Sequence, residues 1–391
     1  MAQFRYCNGL THSTGRRRGA VLCLVAFVCL STAGQRADAA TASDDAYSDN
    51  QPRLSSLLPP SVADNLDVNA WGWLSYLHSN QEDHSSYWDA DLAVGGTLHF
   101  GDRVAATADV HFIDDNNFMR GWLEQAFVTA KLSQQAGTLI TVGKFNALFG
   151  AEPRNAWDRF GGTTSLLFGA EPQDLVGVMV TQPIGDTHLT LRPFAVNQFQ
   201  GHFDFDQSPS FGIMAEYRPT HELSFAVTNW VGRGFVPKDD DDEYASSEEY
   251  AYYGYRYAVG NWVGPRLSAD SSGTLYFVDA RATWLPRPDL TLAAEGLLAM
   301  NGPSAGHVAW GGLLALVNYD ITDRWRAFGR WSFLNDARGI VTGVAGRQHE
   351  LSAGIGFEVV RGLELRGEYR HDFNSTSGDF DSLSAHLTFA Y

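Results

Sequence analysis

Cysteine is nearly absent from this chain of 391 residues: it has three, Cys7, Cys23 and Cys29, all within the first 29 positions. Whatever follows folds without disulfides. Long apolar runs are missing too. After residue 40 no stretch supplies the roughly 18 consecutive apolar residues that a membrane-spanning helix requires. Basic residues are scarce, with 28 Lys and Arg against 45 Asp and Glu and a formal net charge of -17. Nucleic-acid binding needs clustered cations, so that class of partner is excluded. Neither Gly-x-Ser-x-Gly nor His-Glu-x-x-His occurs, and no metal or cofactor fingerprint stands in their place.

What is present begins with an export signal. Arg16, Arg17 and Arg18 precede the apolar stretch "AVLCLVAFVCL" at 20–30, and Ala37-Asp38-Ala39 fits a small-x-small cleavage site. Residues 1–39 therefore read as a signal peptide. Residues 40–65 are polar and carry prolines, and read as a flexible periplasmic lead-in.

From residue 66 to 391 one unit recurs: about ten residues of alternating character, then a turn. In "LELRGEYRHDF" (363–373) Glu364, Arg366, Glu368, Arg370 and Asp372 alternate with Leu363, Leu365, Gly367, Tyr369, His371 and Phe373. Successive side chains of a strand point to opposite faces, so one face is charged and the other largely apolar. Sixteen such runs start near 66, 88, 103, 121, 138, 174, 187, 209, 222, 274, 290, 310, 325, 348, 363 and 380. Their connections alternate between short turns such as "GD" and "DITD" and longer segments, among them 147–173 and 234–273. That layout predicts an all-β, transmembrane, antiparallel up-and-down barrel with short periplasmic turns and long extracellular loops.

A soluble sandwich alternates as well. Three features favour the membrane. Trp88, Trp122, Trp230, Trp284, Trp310, Trp325 and Tyr369 stand near strand ends on the apolar faces, as interfacial girdles do. The opposite faces are rich in ionisable groups, and the strands are long enough to cross at a tilt. The chain also ends on Leu387, Phe389 and Tyr391, one face of a last strand that resembles the C-terminal signal read by the barrel-assembly machinery. The charged face then turns to a water-filled lumen, because a Lys or Arg near the lipid midplane costs about 2–4 kcal/mol.

The expected pore-lining residues are Asp279, Arg281, Arg326, Arg330, Glu364, Arg366, Glu368, Arg370 and Asp372, with Arg192, Glu295 and Glu350 also inward. Opposed fixed charges bias ion passage, and the acidic balance points to a weak cation preference. The segment 147–173 repeats itself, "ALFGAEP" at 147–153 returning as "LLFGAEP" at 166–172. A helical turn near 154–160 suits its composition. Folded inward, it would form a constriction carrying Lys144, Glu152, Arg154, Asp158, Arg159 and Glu171; packed over the rim, it would be a surface loop. The sequence leaves that choice open. The acidic run 238–257 lacks calcium-loop spacing and reads as solvated.

Residues Gly143, Lys144, Phe145, Phe149, Gly150, Ala170, Glu171, Pro172, Gly185 and Asp186 together resemble the OmpL-like putative β-barrel porin-2 family. A siderophore-type porin group is also similar in size and layout. The resemblance implies a channel in the outer membrane of a Gram-negative bacterium, with no catalytic residues and no cofactor. Its implied partners are outer-membrane lipid and lipopolysaccharide, the assembly machinery and small hydrophilic solutes, for a monomer or homotrimer. The alternatives are a plugged structural barrel or adhesin, and an outer-membrane hydrolase.

Overall fold

The computed structural model describes residues 65–80, 86–115, 118–197, 209–233, 274–301, 309–336, 341, 345–375 and 378–391. The segment read as a signal peptide, nearly all of the lead-in and the acidic run 238–257 lie outside the described residues. Sixteen strands follow one another: β1 (Leu66–Ser79), β2 (Ser86–Phe100), β3 (Val104–Asp115), β4 (Phe118–Ser133), β5 (Thr138–Asn146), β6 (Asp174–Pro183), β7 (Leu189–Val196) and β8 (Ser210–Tyr217). The second half comprises β9 (Leu223–Arg233), β10 (Thr274–Arg287), β11 (Leu290–Asn301), β12 (Ala309–Asp320), β13 (Trp325–Asp336), β14 (Gly346–Val360), β15 (Leu363–Asn374) and β16 (Phe380–Ala390). Each strand starts within three residues of the position read from the sequence.

Every strand pairs antiparallel with its neighbours in the chain, and β1 closes on β16 from Trp71 opposite Ala390 to Ser79 opposite Ser382. Closure leaves no open sheet edge, which is what a lipid environment demands of strands. Connections at one end run from two to five residues. At the other end they are mostly longer, although β3 and β4 extend so far that only 116–117 lie between them. No helix among the described residues is long and apolar enough to cross a membrane.

The outer face is a lipid surface. Leu351, Leu365 and Leu383 are about half exposed, with Val94, Val142, Ile213, Leu298 and Leu313 exposed in the same manner around the wall. Trp88, Phe211, Tyr276 and Phe373 lie outward toward the long-connection end; Phe100, Phe225, Trp284 and Trp325 lie outward toward the short-turn end. These are two aromatic belts. Two tryptophans expected among them do otherwise: Trp230 and Trp310 are buried inside. β12, "AWGGLLALVNYD", is apolar on both faces, so alternation alone could not say which face meets lipid. The side chain of Trp122 lies outside the described residues.

Candidate functional site

The interior is not an open charged bore. Residues 147–173, which join β5 to β6, run inside the barrel, and every residue from 161 to 176 is buried. Pro153, Pro172 and the pair Gly161-Gly162 deny this stretch a strand pattern. Where a helical turn was expected near 154–160 it makes one hydrogen-bonded turn, the Asp158 amide donating to the Asn155 carbonyl (3.1 Å), and its 3-10 turn is at Phe168–Ala170. Its backbone groups have no ladder to join, so side chains of the wall must satisfy them.

The arc β13–β15 does this with charge. Arg330 donates from Nε to Glu350 (2.6 Å), from Nη1 to Glu152 (3.0 Å) and to the Thr163 carbonyl (2.7 Å), and from Nη2 to Thr163 Oγ1 (2.8 Å). Glu368 accepts from the amides of Gly162 (2.8 Å) and Thr163 (2.9 Å). Arg370 donates to the Thr164 carbonyl (2.6 Å) while its other edge grips Asp372. Arg366 donates to the carbonyls of Ala156 (2.6 Å) and Trp157 (2.8 Å), and Glu364 joins Arg366 to Arg326. Gly162 is required here, because a Cβ on it would stand 2.0 Å from the His386 ring.

The arc β9–β12 holds the segment mainly by burial. Phe149 makes edge-on contacts with Phe277 of this arc, at a ring-centroid distance of 5.2 Å, and with Phe194 of β7, at 6.5 Å. Leu167 packs over Gly312 and is buried in one cluster with Trp230, Phe277, Leu297, Trp310 and Leu314. A few polar ties pin the backbone: Trp310 Nε1 to the Ala170 carbonyl (3.2 Å), Thr228 Oγ1 to Leu148 (2.8 Å), Arg281 to Gly150 (2.6 Å), and the Ala151 amide to Glu295 (2.6 Å). Gly150 has φ +78° and lies under the Glu171 carboxylate, so the two copies of the repeated motif meet there.

On the remaining side Arg154 donates to Glu124 (2.8 Å) and stands 3.6 Å from Asp174, which also binds Lys144 (2.9 Å). Glu124 was missed in the sequence because β4 bulges at this point: Gln125 pairs with Asp109 and Leu123 with Val110, leaving Glu124 unpaired in the ladder and buried. Its carboxylate also faces His111, which contacts Asp91.

The sequence-derived site residues therefore divide by place. Arg330, Glu364, Arg366, Glu368, Arg370 and Asp372 point inward but are buried against the segment or one another. The charged row of β15 thus faces folded chain where a water-filled lumen was expected. Asp279 is fully buried beside Arg281. Arg281 and Arg326 keep about a fifth of their side chains exposed, 19% and 22%. Within the segment Glu152, Arg159 and Glu171 are enclosed, and Asp158 is exposed. Lys144 is not in the segment at all; it sits at the end of β5, tied to Asp174 where the segment rejoins the wall. Burial raises the pKa of Glu152 against the opposing pull of Arg330. Burial, then the neighbouring Glu295 carboxylate, pushes Glu171 well above the ordinary range. At the chain end Leu387 and Phe389 lie on the outward side of β16, and Tyr391 exchanges backbone hydrogen bonds with Ala70. No group of three or more His, Cys, Asp or Glu among the described residues is placed to hold a metal ion.

Comparison with known proteins gives a family match over residues 47–388, to the family described as putative beta-barrel porin-2, OmpL-like. No curated protein matches the chain. Among solved structures the chain is similar to Salmonella typhi OmpF in complex with daunomycin, at 11% identity and a TM-score of 0.58 over 85% of this chain and 99% of that one. It is similar also to the outer membrane channel DcaP of Acinetobacter baumannii, at 11% identity and 0.56 over 84% and 98%. A third is the trimer form of OmpT, an outer membrane protein of Vibrio cholerae, at 10% identity and 0.53 over 84% and 100%.

Proposed function

The chain belongs to the putative β-barrel porin-2, OmpL-like family, and from that premise we propose that its inserted segment, 147–173, sets what the channel passes. The protein is a porin of the Gram-negative outer membrane, a channel for passive diffusion of small hydrophilic solutes. The observation that supports the finer reading is the anchoring of one connection to two adjoining arcs of the wall, by Arg330 and Glu368 on β13–β15 and by Phe277 and Trp310 on β9–β12. A segment held in this way narrows the barrel, with most of its anchoring supplied by side chains of the wall.

Of the nine expected lining residues, Arg281 and Arg326 are the two we assign to the passage, since they keep solvent access. Asp158 on the segment, within the fields of Arg366 and Arg326, supplies an opposing charge. The other seven spend their charge on the segment and on one another. Selection between cations and anions is accordingly small. The barrel works without catalysis, in keeping with its family. Leu387, Phe389 and Tyr391 serve assembly, and the subunits form a homotrimer, as in the trimer form of OmpT.

Single-channel recording of the refolded protein in planar bilayers tests this reading. Discrete conductance steps are expected, with reversal potentials near zero in a salt gradient. Releasing the segment by Arg330→Met is expected to enlarge the steps. A barrel that folds and inserts but never conducts would mean that the segment plugs it.

A further inference from the structure

The inner wall of β7–β10 brings two guanidinium groups to one sulfur atom. Arg192 on β7 and Met214 on β8 are partners in register, and Met214 is buried. Arg281 reaches the same sulfur from β10. It does so across β9, which offers only the small side chains of Ala226 and Thr228 inward at this height. Arg192 Nη1 stands 3.4 Å from Met214 Sδ, and Arg281 Nη2 stands 3.9 Å from it. A thioether is a weak acceptor. Two charged donors are thus aimed at an atom that satisfies neither.

Their other partners leave this charge in place. Glu216 accepts from Arg192 (2.7 Å) and from Arg218 (2.6 Å), so one carboxylate serves two cations. Arg281 gives Nη1 to the Gly150 carbonyl (2.6 Å), a neutral acceptor, and stands 3.8 Å from Asp279, beyond hydrogen-bond reach. The order of exposure is the same in both pairs. Arg192 keeps 22% of its side chain exposed against 10% for Glu216, and Arg281 keeps 19% against 0% for Asp279. Glu171 and Glu295, the other acids near Arg281, are buried as well. The cations face the lumen and the acids stand behind them.

Charge arranged in this way acts differently with distance. From afar each acid offsets its cation, so a passing ion meets little net field. At contact only N–H donors are within reach, and hydrogen bonds between charged groups are the strong ones. Arg326 is not equivalent, because Glu364 grips its Nη2 at 2.5 Å and the exposed Asp158 lies in its field. We propose that Arg192 and Arg281 form a binding site for the carboxylate group of a small solute in transit, its two oxygens replacing Met214 Sδ as the acceptors. A planar group with one negative charge suits two donors. A doubly charged phosphate would meet the repulsion of Glu216 and Asp279 behind them. The site rests on the channel reading and names the class of solute that the channel holds longest.

Saturation-transfer NMR of the refolded barrel in neutral detergent tests this, because it reads binding whether or not the barrel conducts. The probes are butyrate, butyramide of the same shape, and methyl phosphate. Butyrate is expected to bind about tenfold more tightly than butyramide, the scale of one charge-assisted contact, and more tightly than methyl phosphate. In planar bilayers butyrate is expected to interrupt the current at lower concentration than butyramide. Arg192→Gln, at a residue whose bonds go to β8 and not to the inserted segment, is expected to abolish the preference. Should it fail to fold, Arg192→Lys keeps the charge but loses the fork, and is expected to lower the preference about threefold. Equal binding of butyrate and butyramide, tighter binding of methyl phosphate, or an undiminished preference in Arg192→Gln overturns the proposal. A barrel that binds butyrate with this preference but never conducts would count against the channel reading alone.

Discussion

The two arcs that hold residues 147–173 do so by opposite means. On β9–β12 the grip is mostly apolar: Phe277, Leu297, Trp310 and Leu314 bury Phe149 and Leu167. On β13–β15 it is a lattice of guanidinium and carboxylate groups bonded to the segment's backbone. Apolar burial is non-directional, and its strength follows area. It can retain a segment without fixing its register. Charged hydrogen bonds add little net stability once desolvation is counted, but they fail badly when one partner is removed. The apolar arc therefore holds the segment in, and the charged arc decides where each peptide group sits.

That division can be broken most sharply at Arg330, which serves Glu152, Glu350 and Glu368 at once. Arg330→Met leaves three buried carboxylates short of their common partner and is expected to cost about 3–5 kcal/mol. The change is read as a lower midpoint of urea unfolding together with larger, noisier conductance steps. On the apolar side Leu167→Ala is expected to cost about 3 kcal/mol through the space it leaves over Gly312. It should lower the same midpoint while leaving mean conductance nearly unchanged, because the charged arc still fixes the register. If both variants enlarge the channel equally, the two arcs do the same job and the comparison fails.

Gly150→Ala sharpens it at the seam. A side chain at φ +78° is strained, and its Cβ would meet Glu171 at 2.1 Å, so a loss of about 1–2 kcal/mol is expected from the same unfolding measurement. The smallest effect is a dependence on pH. Docked Glu171, facing Glu295, Asp279 and Arg281, has a raised pKa. The docked form therefore holds its proton more tightly than a released segment would. Its contribution is complete below the ordinary carboxyl range and is lost as pH rises from there through the raised value. Conductance noise is expected to grow from mildly acid to alkaline pH, and Glu171→Gln is expected to flatten the trend.

The strands were legible because alternation and turn residues agree along nearly the whole chain. β15 shows why: five charges at every second position leave one choice of inward face, and its inward residues are all buried. Trp310 was misread because β12 offers apolar residues on both faces; Trp230 was misread although it shares the inward face of β9 with Ala226 and Thr228. Glu124 was hidden by a bulge, which breaks the period that pattern reading relies on. The inward course of 147–173 was not legible at all. A connection rich in Gly and Pro has the same composition whether it covers a rim or enters a barrel, and its partners lie on strands far along the chain. Its acids and arginines could be named from the sequence, but their burial could not.

The distance between those partners bears on how the molecule comes together. The Gly162 amide and the Glu368 carboxylate that receives it are 206 positions apart in the chain. A nascent cylinder lacking its last four staves therefore has no charged partners to offer its gate, and the peptide groups of that stretch must wait, unsatisfied, until the seam between first and last strands is drawn shut. Contacts of such long range are slow to form. Capturing the half-built barrel should thus find the gate open to protease, and sealing of the wall should be the event that shields it.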